Sequence, residues 1–288
     1  MKYSTVAQLL LLAGSVQAQQ KCNSYHADVA RKDPFAVRIV FVGDRFVTGQ
    51  GSANPDSFDG ADELDGSHWG FKGFPYDFGE LLKTKKKEQK FEIMNFGGND
   101  YGIKDTFWDT CDYEKSLRSY PDIVVMGFGG SELSNLKSLD DKRVFRNKYI
   151  ELGKKYLDLP SHPQVFLITP PALHLSEPVP EPVDDAPIIQ NRHFYSSVTI
   201  PTELSSVADA LGLPAENRID AFSTFGGDSV TDGTDLLNAD LQTPNAAGNA
   251  KIAQQLYDSI IKYNNFKNHE ELYKIGRKVK QDPNPWGI

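Results

Sequence analysis

Val37-Arg38-Ile39-Val40-Phe41-Val42-Gly43-Asp44 sets how the rest of the chain is read. Its first six residues are dominated by β-branched and aromatic side chains without polar alternation, the signature of a strand buried on both faces, and Gly43-Asp44 closes it with a turn. Other short apolar runs follow. Phe91-Glu92-Ile93-Met94 ends in Asn95-Phe96-Gly97-Gly98, Ile123-Val124-Val125-Met126 ends in Gly127-Phe128-Gly129-Gly130, and Val165-Phe166-Leu167-Ile168 stops at Thr169-Pro170-Pro171. Arg218-Ile219-Asp220-Ala221-Phe222 reads as a short fifth strand. Between them, helical periodicity covers Tyr76 to Lys87, Asp141 to Leu157, Thr202 to Leu211 and Ala246 to Tyr263, and a Gly/Asp-rich loop runs from Thr48 to Lys72. Strands separated by helices imply βαβ units, hence a three-layer α/β/α sandwich around a parallel sheet of about five strands. In such a sheet the ligand crevice lies beyond the carboxyl ends of the strands, so Gly43-Asp44, Gly97-Gly98 and Gly127 to Gly130 mark where chemistry is expected.

Composition narrows the function. The chain has 288 residues, 31 basic against 39 acidic ones, a formal charge of −8 and 39% hydrophobic residues. That length supports a full core without a metal or disulfide staple, and the acidic balance argues against nucleic acid as a partner. Residues 1–18 read as a signal peptide: Met1-Lys2 leads an apolar run from Val6 to Ala13, and Val16-Gln17-Ala18 offers small residues for cleavage. The run is well short of the ~20 residues of a membrane span, and no later stretch is long enough either. The expectation is a secreted protein with one domain over residues 19–264 and a C-terminal extension over 265–288, rich in Lys and Pro and carrying Trp286. An exported chain permits a disulfide, and Cys22 and Cys111 are the two cysteines. A bridge between them is the expected state; two separate thiols are the alternative.

Five fragments, in order at the strand ends, resemble the GDSL-type esterases and lipases, the SGNH hydrolases. Gly43-Asp44-Arg45 looks like the first motif and Asn95-Phe96-Gly97-Gly98-Asn99-Asp100 like the second. Phe107-Trp108-Asp109-Thr110 and Pro121-Asp122-Ile123 look like the approach to the third, which Phe128-Gly129-Gly130-Ser131-Glu132 occupies. Asp240-Leu241-Gln242-Thr243-Pro244-Asn245 looks like the last. The resemblance implies a flavodoxin-like fold and, for an intact site, hydrolysis of carboxylic esters. Its signature residues are substituted here. Arg45 stands at the nucleophilic serine, Asp100 at the oxyanion-hole glycine (with Gly98 or Gly102 as the shifted alternatives), Ser131 at the oxyanion-hole asparagine with Glu132 after it, and Thr243 at the base histidine. Asp240 matches the triad aspartate.

Acyl transfer needs a nucleophilic oxygen or sulfur, a base for its proton, and donors for the oxyanion. A guanidinium is neither nucleophile nor base. Of the six histidines, His26, His68, His162, His174, His193 and His269, none falls between His193 and His269, where the last motif lies. His68 and His174 are the candidates to reach the crevice; Ser52, Ser131 and Thr48 are surrogate nucleophiles without a local activator. Arg45 is expected to be held by Asp240, Asp100 or Glu132, the alternative being that it points into solvent.

Other patterns carry less. Gly127-Phe128-Gly129-Gly130-Ser131-Glu132 lacks the third glycine of a dinucleotide motif, and no cysteine–histidine spacing suits zinc. The acidic loops Asp59, Asp62, Glu63, Asp65 and Asp228, Asp232, Asp235 depart from EF-hand spacing and read as solvated, and Lys83 to Lys87 reads as a solvated helix end. No cofactor is expected. The resulting expectation is a secreted pseudoenzyme whose crevice, lined by Asp44, Arg45, Gly98, Ser131, Glu132 and Asp240, binds a glycan or acylated ligand, or which serves in an extracellular assembly with a protein partner. The alternative is an esterase acting on acetylated carbohydrate.

Overall fold

The computed structural model describes residues 36–49, 73–87, 89–99, 101–132, 136, 138–172, 199–227, 229, 232–238 and 243–263. The expected signal peptide, Cys22, the first acidic loop, Asp100, Asp240 and the C-terminal extension lie outside them. Five strands form one parallel sheet: β1 (Val37–Gly43), β2 (Phe91–Gly97), β3 (Ile123–Gly127), β4 (Gln164–Ile168) and β5 (Arg218–Ile219), in the order β2-β1-β3-β4-β5. This is the flavodoxin-like order, whose reversal point lies between β1 and β3.

Every residue of β1 is buried, because helices cover both faces. On one face Val40, Val42, Met94, Phe96, Val124 and Met126 pack under Phe145, Tyr149, Leu152 and Tyr156 of α4 (Leu139–Leu157) and Leu204 and Val207 of α5 (Ile200–Ala210). On the other, Ile39, Phe41, Ile93, Ile123 and Val125 meet Phe74, Phe78 and Leu82 of α2 (Phe74–Lys85) and Ile252, Leu256 and Ile260 of α7 (Ala246–Tyr263). Alternate residues of each strand thus feed opposite layers, as a period of two requires. No helix among the described residues is long and apolar enough to cross a membrane.

Three local readings differ from expectation. The chain turns into a four-residue helix, α1 (Arg45–Thr48), directly after β1, and ends it at Gly49 with φ 81°, so the expected loop begins later. The fifth strand is only Arg218–Ile219: the Asp220 side chain accepts from Ser223 N at 2.9 Å and caps α6 (Ala221–Thr224), pulling Ala221 and Phe222 into a helix. Sequence periodicity also missed α3 (Cys111–Arg118), preceded by a 3₁₀ turn at Thr106–Asp109. Only Ser116 of α3 is buried, so it carries no apolar stripe. Its available signal was capping: Thr110 accepts from Tyr113 N at 3.1 Å, with Asp112 and Glu114 in the first turn and Lys115 and Arg118 in the last.

Candidate functional site: the crevice beyond β1 and β3

In the sheet register Gly43 faces Gly97 on one side and Gly127 on the other, so the three strand ends expected to carry the site stand side by side. Gly43 is required there, since a Cβ would collide with the Gly127 carbonyl and the Val47 side chain. Asp44 then departs as the N-cap of α1. Its Oδ1 accepts from Phe46 N at 3.0 Å, and its Oδ2 from Gly129 N at 3.1 Å and Ser131 N at 2.9 Å. This fully buried carboxylate ties the β3 loop to the β1 turn. Burial pushes its pKa up, opposed by the amides of Ser131, Phe46 and Gly130 and by the Arg45 charge.

Arg45 is the first residue of α1, directly beyond the β1 end. Its side chain is half-buried, and it forms no ion pair with a described carboxylate. The expected pairing with Glu132 does not form. Glu132 instead accepts from Ile103 N through Oε1, and its buried Oε2 has no hydrogen-bond partner. A carboxyl in that position keeps its proton: burial first, and the nearby Asp44 charge second, push its pKa up to about 8. The two other expected partners, Asp100 and Asp240, lie outside the described residues.

Three candidate oxyanion donors among the described residues are already engaged; the amide of Asp100 lies outside them. Gly98 N donates to Gly43 O at 3.0 Å, and Gly102 N donates to Thr106 Oγ1 at 2.6 Å. Ser131 N is held by Asp44. A donor serves an oxyanion only when it is aimed at the position that oxygen will occupy, and these three amides are aimed elsewhere. Sequence reasoning overlooked Tyr101, whose ring lies against Gly98 where a Cβ would sit and whose hydroxyl donates to Asp112 Oδ2 at 2.5 Å. Burial raises the pKa of that hydroxyl, and Asp112 adds to it, so it stays protonated. Its signal was its place beside Asp100 in the second motif.

The base position is equally inert. Thr243 is buried and local: Asn238 Nδ2 donates to its Oγ1 at 3.1 Å, and Asn238 N donates to its carbonyl at 2.8 Å. Asn245 then caps α7, its Oδ1 accepting from Gly248 N at 3.0 Å. Thr48, one surrogate nucleophile, bonds through Oγ1 to Arg45 O at 2.8 Å and Asn99 Oδ1 at 2.9 Å; neither is a base of neutral-pH strength. His162, the one histidine among the described residues, lies in the turn before β4, at the amino ends of the strands and so on the side away from the crevice. The other five, and Ser52, lie outside them. No group of three or more potential metal ligands occurs among the described residues.

No protein-family model matches the sequence, and no curated protein does. Solved structures do match. An acetylxylan esterase from Geobacillus stearothermophilus is 17% identical with TM-score 0.55, over 78% of this chain and 94% of that one. A structure described as a GDSL-like lipase from Parabacteroides merdae is 13% identical with TM-score 0.54, over 77% and 94%. A two-domain esterase active on acetylated mannans is 16% identical with TM-score 0.54; this chain matches 79% of its own length to 49% of that chain. Identities this low speak to architecture and not to the reaction. The chain has an SGNH/GDSL hydrolase-like fold.

Proposed function

We propose that this protein is a secreted, catalytically silent relative of the SGNH esterases, whose strand-end crevice binds a glycan or an acylated ligand. One observation carries the reading: at the described positions that match a nucleophile, a base or a donor, the residue is of the wrong kind or already engaged. Arg45 offers a cation in place of a hydroxyl. The amides of Gly98, Gly102 and Ser131 are taken, and Thr243 is bound to Asn238. Loss of the nucleophile or the base alone costs a serine hydrolase roughly a million-fold in turnover. The proposal extends to removal of residues 1–18 on export and to a bridge between Cys22 and Cys111, where Cys111 is the first residue of α3. Intact-mass measurement of the secreted protein, with and without reduction, checks both; a retained leader or an unchanged mass on reduction counts against them.

The decisive experiment is an acetyl-ester assay on acetylated xylan and on a small aryl acetate. No turnover above buffer is expected from the natural protein, while Arg45→Ser combined with Thr243→His serves as the attempt at restoration. Turnover that disappears in Asp240→Ala, or a covalent acyl adduct on any crevice hydroxyl, would establish the esterase reading instead. Absence of both turnover and saccharide binding, with concentration-dependent association in sedimentation, would favour a structural component of an assembly.

A further inference from the structure

Six arginines lie among the described residues, and five of them face a carboxylate. Arg38 pairs with Glu92 at 2.5 Å, Arg143 with Asp140 at 2.6 Å, Arg218 with Asp209 at 2.8 Å, Arg146 with Glu203 at 3.7 Å and Arg118 with Glu114 at 4.0 Å. Arg45, the one in the crevice, is the exception. A half-buried guanidinium with no direct ion pair among the described residues has lost hydration and gains only the longer-range attraction of the buried Asp44 carboxylate. We infer that Arg45 is the seat of an anionic ligand, and that the glycan bound in the crevice carries a carboxylate, as a uronic acid does. The inference rests on the glycan reading above and narrows it.

The two described carboxylates of the crevice, Asp44 and Glu132, do not fill that seat. Both oxygens of the adjacent Asp44 are turned to the amides of Phe46, Gly129 and Ser131, and the Arg45 charge reaches it without a direct ion pair. Glu132 is buried, turned toward Ile103 N, and uncharged below about pH 8, so it neither pairs with Arg45 nor repels an incoming anion in neutral solution. Exposed Asn99 and half-buried Ser131, on the loops after β2 and β3, flank the position with polar side chains suited to hydroxyl groups. The guanidinium presents a planar, two-pronged donor that matches a carboxylate. The overall charge of −8 opposes any anion, so preference for one has to come from this local contact.

Calorimetric titration compares a neutral xylo-oligosaccharide, the same oligosaccharide bearing one glucuronic acid, and inorganic phosphate. The acidic saccharide is expected to bind on the order of ten-fold or more tightly than the neutral one, the range of one charge-assisted contact. Arg45→Met should bring the two to the same level, and Arg45→Lys should restore part of the difference. Equal binding of both saccharides overturns the anion seat and leaves the glycan reading standing. A preference that survives Arg45→Met places the anion elsewhere and overturns it too. Phosphate binding as tight as the acidic saccharide overturns the commitment to a sugar acid. Binding of neither saccharide sinks the glycan reading itself, and this inference with it.

Discussion

Arg38 and Arg45 stand at opposite ends of β1, and the chain treats them in opposite ways. Arg38, 2% exposed, is saturated: Glu92 takes its Nε at 2.7 Å, its Nη1 donates to Ser119 O, and its own backbone amide donates to Asp122 Oδ2 at 2.7 Å. Register explains the pairing, since Arg38 sits directly opposite Glu92 on β2 and both point to the same face. Arg45, half-buried beyond the other end of the strand, has no ion-pair partner among the described residues. Burial depth separates a charge that belongs to the fold from one available to a ligand. The fold can bury a cation only by completing its shell; at the crevice the described residues leave the shell without a direct ion pair.

The sharpest way to break that contrast is to neutralise each arginine in turn. Arg38→Met leaves a largely buried Glu92 carboxylate and the Ser119 carbonyl without their donor, and should cost ~3–5 kcal/mol, the scale of breaking one side of a buried pair. Arg45→Met removes a charge that makes no direct ion pair with a described carboxylate and should change stability by only ~0.5 kcal/mol in either direction. Urea unfolding of the two variants against the natural protein measures the difference. Equal losses would mean that Arg45 is as structural as Arg38, and would remove the basis for an anion seat there.

The fold was legible because its strands are apolar on both faces. β1, β3 and β4 are recognisable from Val, Ile, Leu and Phe runs alone, and α7 from its periodicity. α3 was not, because half-buried residues such as Tyr113 and Leu117 do not form a stripe. β5 was overextended because Ala221 and Phe222 are apolar enough for a strand, while the Asp220 cap that turns them into helix is a local hydrogen bond. In the site, residue types told which groups could not react. They could not tell where amides donate: Gly98 to Gly43 and Gly102 to Thr106 are backbone geometry with no compositional trace. Charge complementarity suggested Arg45 with Glu132, and packing overruled it by turning Glu132 toward Ile103 N.

Glu132 supplies the third way to hold a charge, between Arg38 and Arg45: it gives the charge up. Its carboxyl is fully buried, faces Asp44 from the β1 turn and Asp105 from the loop before the 3₁₀ turn, and lies near the Tyr149 hydroxyl of α4. The unfolded chain releases this proton near pH 4.5, whereas the folded protein keeps it up to about 8. Between those values the native state holds more protons than the unfolded one, so stability falls as pH rises through the window. The contribution is complete below the lower value and gone above the upper one. Glu132→Gln keeps an acceptor for Ile103 N and cannot ionise, so its stability should lack this decline. The gap between variant and natural protein should widen in the variant's favour from pH 5 to pH 8, by ~1–3 kcal/mol. Asp44, also raised by burial, titrates with the same sign and is present in both proteins; because its charge acts on Glu132, it cancels in the comparison only in part. Urea midpoints at unit pH steps provide the measurement, and parallel profiles for the two proteins would show that Glu132 ionises as an ordinary carboxyl. In that case the crevice carries a second negative charge close to Asp44 at neutral pH, which would oppose an incoming anion.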